Sequence, residues 1–172
     1  MKHYLPNSIF ISKGMRMMFI RLAETKDTDD WRIVAENVAS IFGHPTMAKD
    51  PAFIEYMQNK IEQRGAITAV DAQTGTCIGL IGISYHFNRI SWFGVLESHR
   101  NKGVGSQLLQ SALDRLDTSK EITVDTYRND YLPGLPARHV YMKHGFTEID
   151  NTLFDNLGNE RCRLSVSPSG AK

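Results

Sequence analysis

Cysteine is scarce: Cys77 and Cys162 are the two in 172 residues. Neither lies in a Cys-x-x-Cys pair, and two thiols cannot build a zinc site without other ligands. Both fall in apolar, strand-like runs, where a reduced thiol packs as a small hydrophobe, and free thiols suit a cytoplasmic location. Charge of one sign is lacking too. Lys plus Arg is 20 and Asp plus Glu is 19, a formal net charge of +1. That balance offers no bulk attraction to nucleic acid or to a membrane surface. No apolar run approaches the ~20 residues that span a bilayer, and the start, Met1 to Pro6, has no apolar signal core. The six histidines show no His-Glu-x-x-His or comparable spacing, so no metal is expected.

Hydrophobic residues make up 41% and charged residues 23%, as in an ordinary globular chain. Residues 1–14 read as a weakly ordered N-terminal extension, and residues 15–172 as a single domain. A strand is expected at 17–22. Asp27, Asp29 and Asp30 crowd the start of a helix carrying Trp31, Val34, Val38 and Ile41 at helical spacing. Asp50-Pro51 opens a second helix, an N-cap followed by proline at the first position. Three strands follow at 66–71, 77–85 and 90–95, the last near-continuously apolar, as if buried on both faces. A helix is expected over about 103–116, a strand at 122–126, a short helix at 137–144 and two strands at 146–150 and 160–166. Trp31, Phe53 and Trp92 read as core. The order is β-α-α-β-β-β-α-β-α-β-β, a mixed α/β sheet with helices on its faces.

The stretch richest in chemistry is Val95-Leu96-Glu97-Ser98-His99-Arg100-Asn101-Lys102-Gly103-Val104-Gly105-Ser106. A strand ends, a polar loop follows, and two glycines open an amphipathic helix. The first turn of a helix presents unpaired N–H groups and positive potential, and glycine lets a phosphate approach the backbone. Arg100 and Lys102 add formal charge. The loop is not a Walker sequence, because the Gly-Lys-Ser/Thr ending is missing. Nor is it a full dinucleotide fingerprint, because Leu108 stands at the third glycine position.

Arg100-Asn101-Lys102-Gly103-Val104-Gly105 resembles the Arg/Gln-x-x-Gly-x-Gly/Ala signature of the GNAT acetyltransferases. About 40 residues on, Ala137-Arg138-His139-Val140-Tyr141-Met142-Lys143-His144-Gly145-Phe146 resembles that family's second signature, Ala-x-x-x-Tyr-x-x-x-Gly-Phe. The element order agrees. The resemblance, over roughly residues 17–166, implies a mostly antiparallel sheet in which the strand at 90–95 splays from a parallel strand at 122–126. Acetyl-CoA would lie in that gap as co-substrate. Backbone groups of Phe93, Gly94 and Val95 would bond its pantetheine arm. Arg100, Asn101, Lys102, Gly103, Val104, Gly105 and Ser106 would hold its pyrophosphate. Tyr141 would protonate the departing thiolate, after a primary amine attacks directly and passes through a tetrahedral oxyanion.

Two departures from the family pattern stand out. No carboxylate sits in His86-Phe87-Asn88-Arg89, where many members carry a glutamate base, and Gly134 replaces a cofactor-contacting asparagine. Glu97 reads as a solvated loop carboxylate, His99 as a surface residue and Arg138 as a solvated helix residue. Asp125 and Tyr127 end a strand near the expected cleft, and no base is assigned. The expected activity is therefore N-acetyl transfer in a ternary complex, to a small-molecule or peptide amine. The alternatives are a non-catalytic acyl-CoA sensor of the same fold and, on the glycine loop alone, a nucleotide-binding module. Neither nucleic acid nor membrane is an expected partner, and a homodimer is the commonest oligomer open to such a chain.

Overall fold

The computed structural model describes residues 8–10 and 17–168. Strands β1 (Ser8–Phe10) and β2 (Met18–Leu22) are followed by helices α1 (Thr28–Val38) and α2 (Pro51–Glu62). Then come β3 (Ala66–Asp71), β4 (Cys77–Ser84), β5 (Arg89–Val95), α3 (Val104–Leu113), β6 (Ile122–Thr126), α4 (Leu135–Lys143), β7 (Thr147–Phe154) and β8 (Glu160–Val166). One sheet takes the order β1-β2-β3-β4-β5-β6-β8-β7. Every pairing is antiparallel except β5 with β6. This is the mixed, mostly antiparallel α/β sheet expected. The strand at β1 lies inside the segment read as an extension; the rest of residues 1–14 falls outside the described residues.

Local chemistry explains the helix starts. Asp50 accepts a hydrogen bond from the Ala52 amide at 2.9 Å, and Pro51 occupies the first turn of α2. Asp27 is 4% exposed at the head of α1 and takes both terminal nitrogens of Arg21, at 2.7 and 2.8 Å. Asp30 accepts from the Cys77 amide at 2.8 Å and ties α1 to β4.

The two faces of the sheet carry separate cores. Trp31, Val34 and Val38 of α1 and Met57 of α2 pack with Leu80 and Trp92 on one face. Val104, Leu108 and Ala112 of α3 and Tyr141 of α4 pack with Ile67, Ile81 and Leu164 on the other. Strand β3 is buried on both faces and β4 nearly so. Cys77 and Cys162 are both buried and free.

The pairing of β5 decides what the fold can do. It stays bonded to β4 from Arg89 to Val95, yet meets β6 only at Arg89↔Thr123 and Ile90↔Val124. Beyond Ile90 the two parallel strands diverge. The expectation that residues 90–95 would be buried on both faces is therefore corrected: the strand alternates, with Ser91 exposed and Phe93 and Val95 half-buried. Its far edge and one face border a gap instead of a neighbour.

The closed end of that gap is stapled. The Asn88 amide donates to the carbonyls of Asp117 and Glu121, at 3.0 and 2.9 Å, and its oxygen accepts from the Asp117 amide at 2.9 Å. Beside it, Asp125 of β6 pairs with Arg89 of β5 at 2.7 Å and with Arg163 of β8 at 2.7 and 3.0 Å. Among the described residues, no helix is long and apolar enough to cross a membrane.

Candidate active site

Where β5 and β6 part, a cleft of about 670 Å³ opens. Phe93, Gly94 and Val95 form one wall. Past Ile90 those residues have no strand on the β6 side, so the backbone groups facing the gap can bond a ligand. Gly94 also has a packing reason to be glycine: a Cβ there would come within 2.6 Å of the Trp92 ring.

The second wall is the start of α3. Gly103 holds φ +81, the left-handed region that favours glycine, and Asn101 precedes it at φ +60. This tight turn brings Arg100, Asn101, Gly103, Gly105 and Ser106 to the cleft. No side chain caps α3. The first-turn amides of Val104, Gly105 and Ser106 therefore have no acceptor within the helix and present donors and positive dipole to an anion. Val104 itself turns its side chain into the core, 3% exposed. Lys102 does not line the cleft; its Nζ donates to the Ser98 carbonyl at 2.7 Å. Arg100 lines the cleft while its Nε donates to the Val95 carbonyl at 3.1 Å, joining strand to loop.

The third wall is α4 and the turn before it. Pro133, Gly134 and Ala137 supply apolar surface, while His139 and Lys143 add two basic side chains that sequence reasoning missed. They lie four positions apart on one helix face, the one signal that could have marked them. An uncapped helix start, nearby cations and an open strand edge together fit a phosphate-bearing ligand with an extended polar arm.

Tyr141 lies one layer beneath. It is 2% exposed, with its ring centroid 5.7 Å from that of Phe93 and 5.6 Å from that of Phe146. It does not line the cleft, although Phe93 above it does. Burial drives its phenol well above the ordinary tyrosine value, so it stays protonated. Tyr127, at the end of β6, does line the cleft, and so do Ile41 and Phe42 from the turns after α1.

The other residues weighed from sequence lie elsewhere. Glu97 is exposed. The His99 ring contacts Ser98 Oγ at 2.9 Å and Asp71 at 3.8 Å. Asp125 is taken by its two arginines. Arg138, expected to be solvated, is instead tied down: it donates to the Tyr127 carbonyl at 3.4 Å, to the Cys162 sulfur at 3.0 Å and to Glu148 at 2.8 Å. Among the described residues, no group of three His, Cys, Asp or Glu side chains could hold a metal ion.

Comparison with known proteins bears on this geometry. The sequence profile "Acetyltransferase (GNAT) domain" matches residues 63–148, half of the chain. No curated protein sequence matches. Solved structures do. A GNAT-family acetyltransferase from Bacillus cereus superposes with a TM-score of 0.68 at 15% identity, over 88% of this chain and 97% of that one. A chain of the NatC complex bound to Gag peptide and CoA gives 0.66 at 18% identity, over 87% and 98%. The ribosomal-protein-S18-alanine N-acetyltransferase from Escherichia coli gives 0.63 at 16% identity, over 91% and 97%. At such identities the structures speak for the fold alone. The profile covers β3 to the start of β7, the stretch that builds all three walls of the cleft, and on it the chain belongs to the GNAT acetyltransferase family.

Proposed function

We propose that the protein is an acetyl-CoA-dependent N-acetyltransferase that acts on a primary amine by direct attack in a ternary complex. One observation carries the reading. The diverging β5–β6 pair, the uncapped start of α3 and the basic face of α4 line a single continuous cleft. A CoA thioester has the matching parts: a doubly charged pyrophosphate, an amide-bearing arm and a reactive end.

In this reading the first-turn amides of α3 hold the pyrophosphate, aided by Arg100. Lys143 lends charge from the opposite wall, with the His139 imidazole beside it. The backbone of residues 93–95 bonds the arm as a further strand would and polarises the thioester carbonyl. The thioester supplies an activated acetyl group, so no enzyme nucleophile is required. The buried thiols are poor candidates for one in any case: burial pushes Cys77 up to about 12 and Cys162 upward as well. Tyr141, held neutral beneath Phe93, is the donor for the departing thiolate. With reduced thiols and no charge excess, a cytoplasmic site of action suits this chemistry.

Two measurements test the reading. Acetyl-CoA should raise the melting temperature where ATP and NAD do not, because a ligand specific for the native state stabilises it by mass action. Free thiol should then appear when an amine panel is added. Stabilisation by acetyl-CoA without thiol release for any amine would favour a CoA-binding sensor. Stabilisation by ATP or NAD alone would sink the assignment.

A further inference from the structure

Beyond Ile90 the fork between β5 and β6 has no strand pairing, and the ring of Phe42 spans it. Phe42 belongs to the turn after α1 and is half-buried. Its ring stacks on Trp92 of β5, with centroids 5.8 Å apart and planes 13° from parallel. It also meets the ring of Tyr127, the residue after β6, at 6.0 Å and nearly at right angles. Trp92 and Tyr127 both lie beyond the last bonded pair, Ile90↔Val124. The ring therefore sits where the two strands have already come apart. Trp92 does not line the cleft, whereas Phe42, stacked on it, does.

The surroundings hold this ring in place. Behind Trp92 lie Trp31 and Phe53, with centroids 5.7 and 5.8 Å away, and Trp31 is 0% exposed. The backbone of the turn is fastened from the far side of the fork. The Tyr131 hydroxyl donates to the Ile41 carbonyl at 3.0 Å, and Arg161 Nη2 donates to the Phe42 carbonyl at 3.3 Å. Arg161 is itself paired with Asp155 at 2.6 Å. Gly43 ends the turn at φ +66, so close to Asn159 that a Cβ there would lie 3.0 Å from its side chain. Past the ring, space resumes: Phe42 also lines a second cavity of about 280 Å³. A fixed ring with open volume on two sides is a partition, since packed neighbours leave it little room to swing.

We propose that Phe42 is a steric stop that restricts the acyl donor to acetyl-CoA and propionyl-CoA and turns away longer aliphatic chains. The inference deepens the acetyltransferase reading and rests on it. With the pyrophosphate at the start of α3 and the arm along residues 95 to 93, the acyl chain points toward the closed end of the fork. The Ile90↔Val124 pairing blocks its way along the strands. Phe42 blocks its way across the sheet. An acetyl group ends short of the ring. Each further methylene presses on an aromatic side chain that has no place to go, and a single methylene too many is worth about 10–200-fold. Cutting the ring away joins the cleft to the cavity beyond it and gives a longer chain room.

Calorimetric titration with CoA, acetyl-CoA, propionyl-CoA and hexanoyl-CoA tests the stop, with acyl-free CoA as the reference within each protein. The parent should bind hexanoyl-CoA at least about tenfold more weakly than acetyl-CoA. In Phe42→Ala that penalty, taken relative to CoA, should shrink by about tenfold or more. Phe42→Leu should fall between the two, and it carries the test if the alanine variant does not fold. A merely structural role for the ring would weaken all four ligands alike and leave the ratio where it was. Equal affinity of the parent for hexanoyl-CoA and acetyl-CoA, or an equal penalty in parent and variants, overturns this inference alone. Failure of the parent to bind either CoA or acetyl-CoA overturns it together with the activity on which it rests.

Discussion

A phenol packed between Phe93 and Phe146 keeps its proton through the neutral range, since burial penalises the anion. Tyr141→Phe should therefore lower turnover by about 10²-fold while the acetyl-CoA thermal shift stays as it was. Steady-state thiol release checks this, and unchanged turnover removes Tyr141 from the chemistry. Gly134 makes a different kind of demand. Its substitution by alanine would set a methyl group 2.3–2.5 Å from Tyr127 ring and Cβ atoms that have no room to retreat. A loss of about 1–3 kcal/mol is expected, as for other overpacked sites. The midpoint of urea unfolding would show it, and an unshifted midpoint would mean that the turn before α4 yields easily.

The elements differ in how plainly the sequence announces them. The start of α2 was legible because Asp50-Pro51 is a local capping signal. The start of α3 was legible because its two glycines answer a local need for a sharp turn and an open approach. The strand expected at 146–150 ends four residues before β7 does. It is exposed on both faces at the edge of the sheet and slips register near Asp150, so no alternation survives to be read. The helix α4 begins two residues earlier than expected, because Pro136 belongs to its first turn and does not precede it. The α3 start also offers a clean test. Ser106→Glu places a carboxylate among the first-turn amides, where the dipole tolerates or rewards it, so the fold should hold or gain slightly. Acetyl-CoA affinity should fall by an order of magnitude or more, because the pyrophosphate now meets a like charge. Normal affinity by calorimetric titration would put the phosphates elsewhere.

At the scale of the molecule, two carboxylates make the fold sensitive to acid. Burial raises the pKa of Asp27, yet the hydrogen bonds from Arg21 and the Glu24 amide outweigh it, and the net shift is downward. Asp125 follows the same pattern with Arg163 and Arg89. A depressed folded-state pKa gives stability that is complete above the unfolded value near ~3.9 and is lost as pH falls through the folded one. Unfolding midpoints should therefore hold from neutral to about pH 5 and drop below about pH 4. In Asp27→Ala that acid limb should shrink, and stability at neutral pH should fall by about 3 kcal/mol as Arg21 loses its partner. An acid limb of equal depth in parent and variant would show that the pair does not govern it. The candidate site was only half legible at this scale. The wall at residues 100–106 is contiguous in sequence and could be read. Tyr127 could be placed near the cleft because it ends the strand at 122–126, and His139 and Lys143 share only their four-residue separation, whereas Phe42 arrives from a turn that no spacing along the chain marks.

The Asn88 staple has a mechanical consequence. It pins two strands at one end and leaves them free at the other, like the rivet of a pair of tongs. The width of the jaws is then governed from the rivet, at the opposite end of β5 from the residues that would grip the cofactor. Loosening it, as in Asn88→Ala, should weaken the grip on acetyl-CoA while every surface that touches the thioester keeps its chemistry.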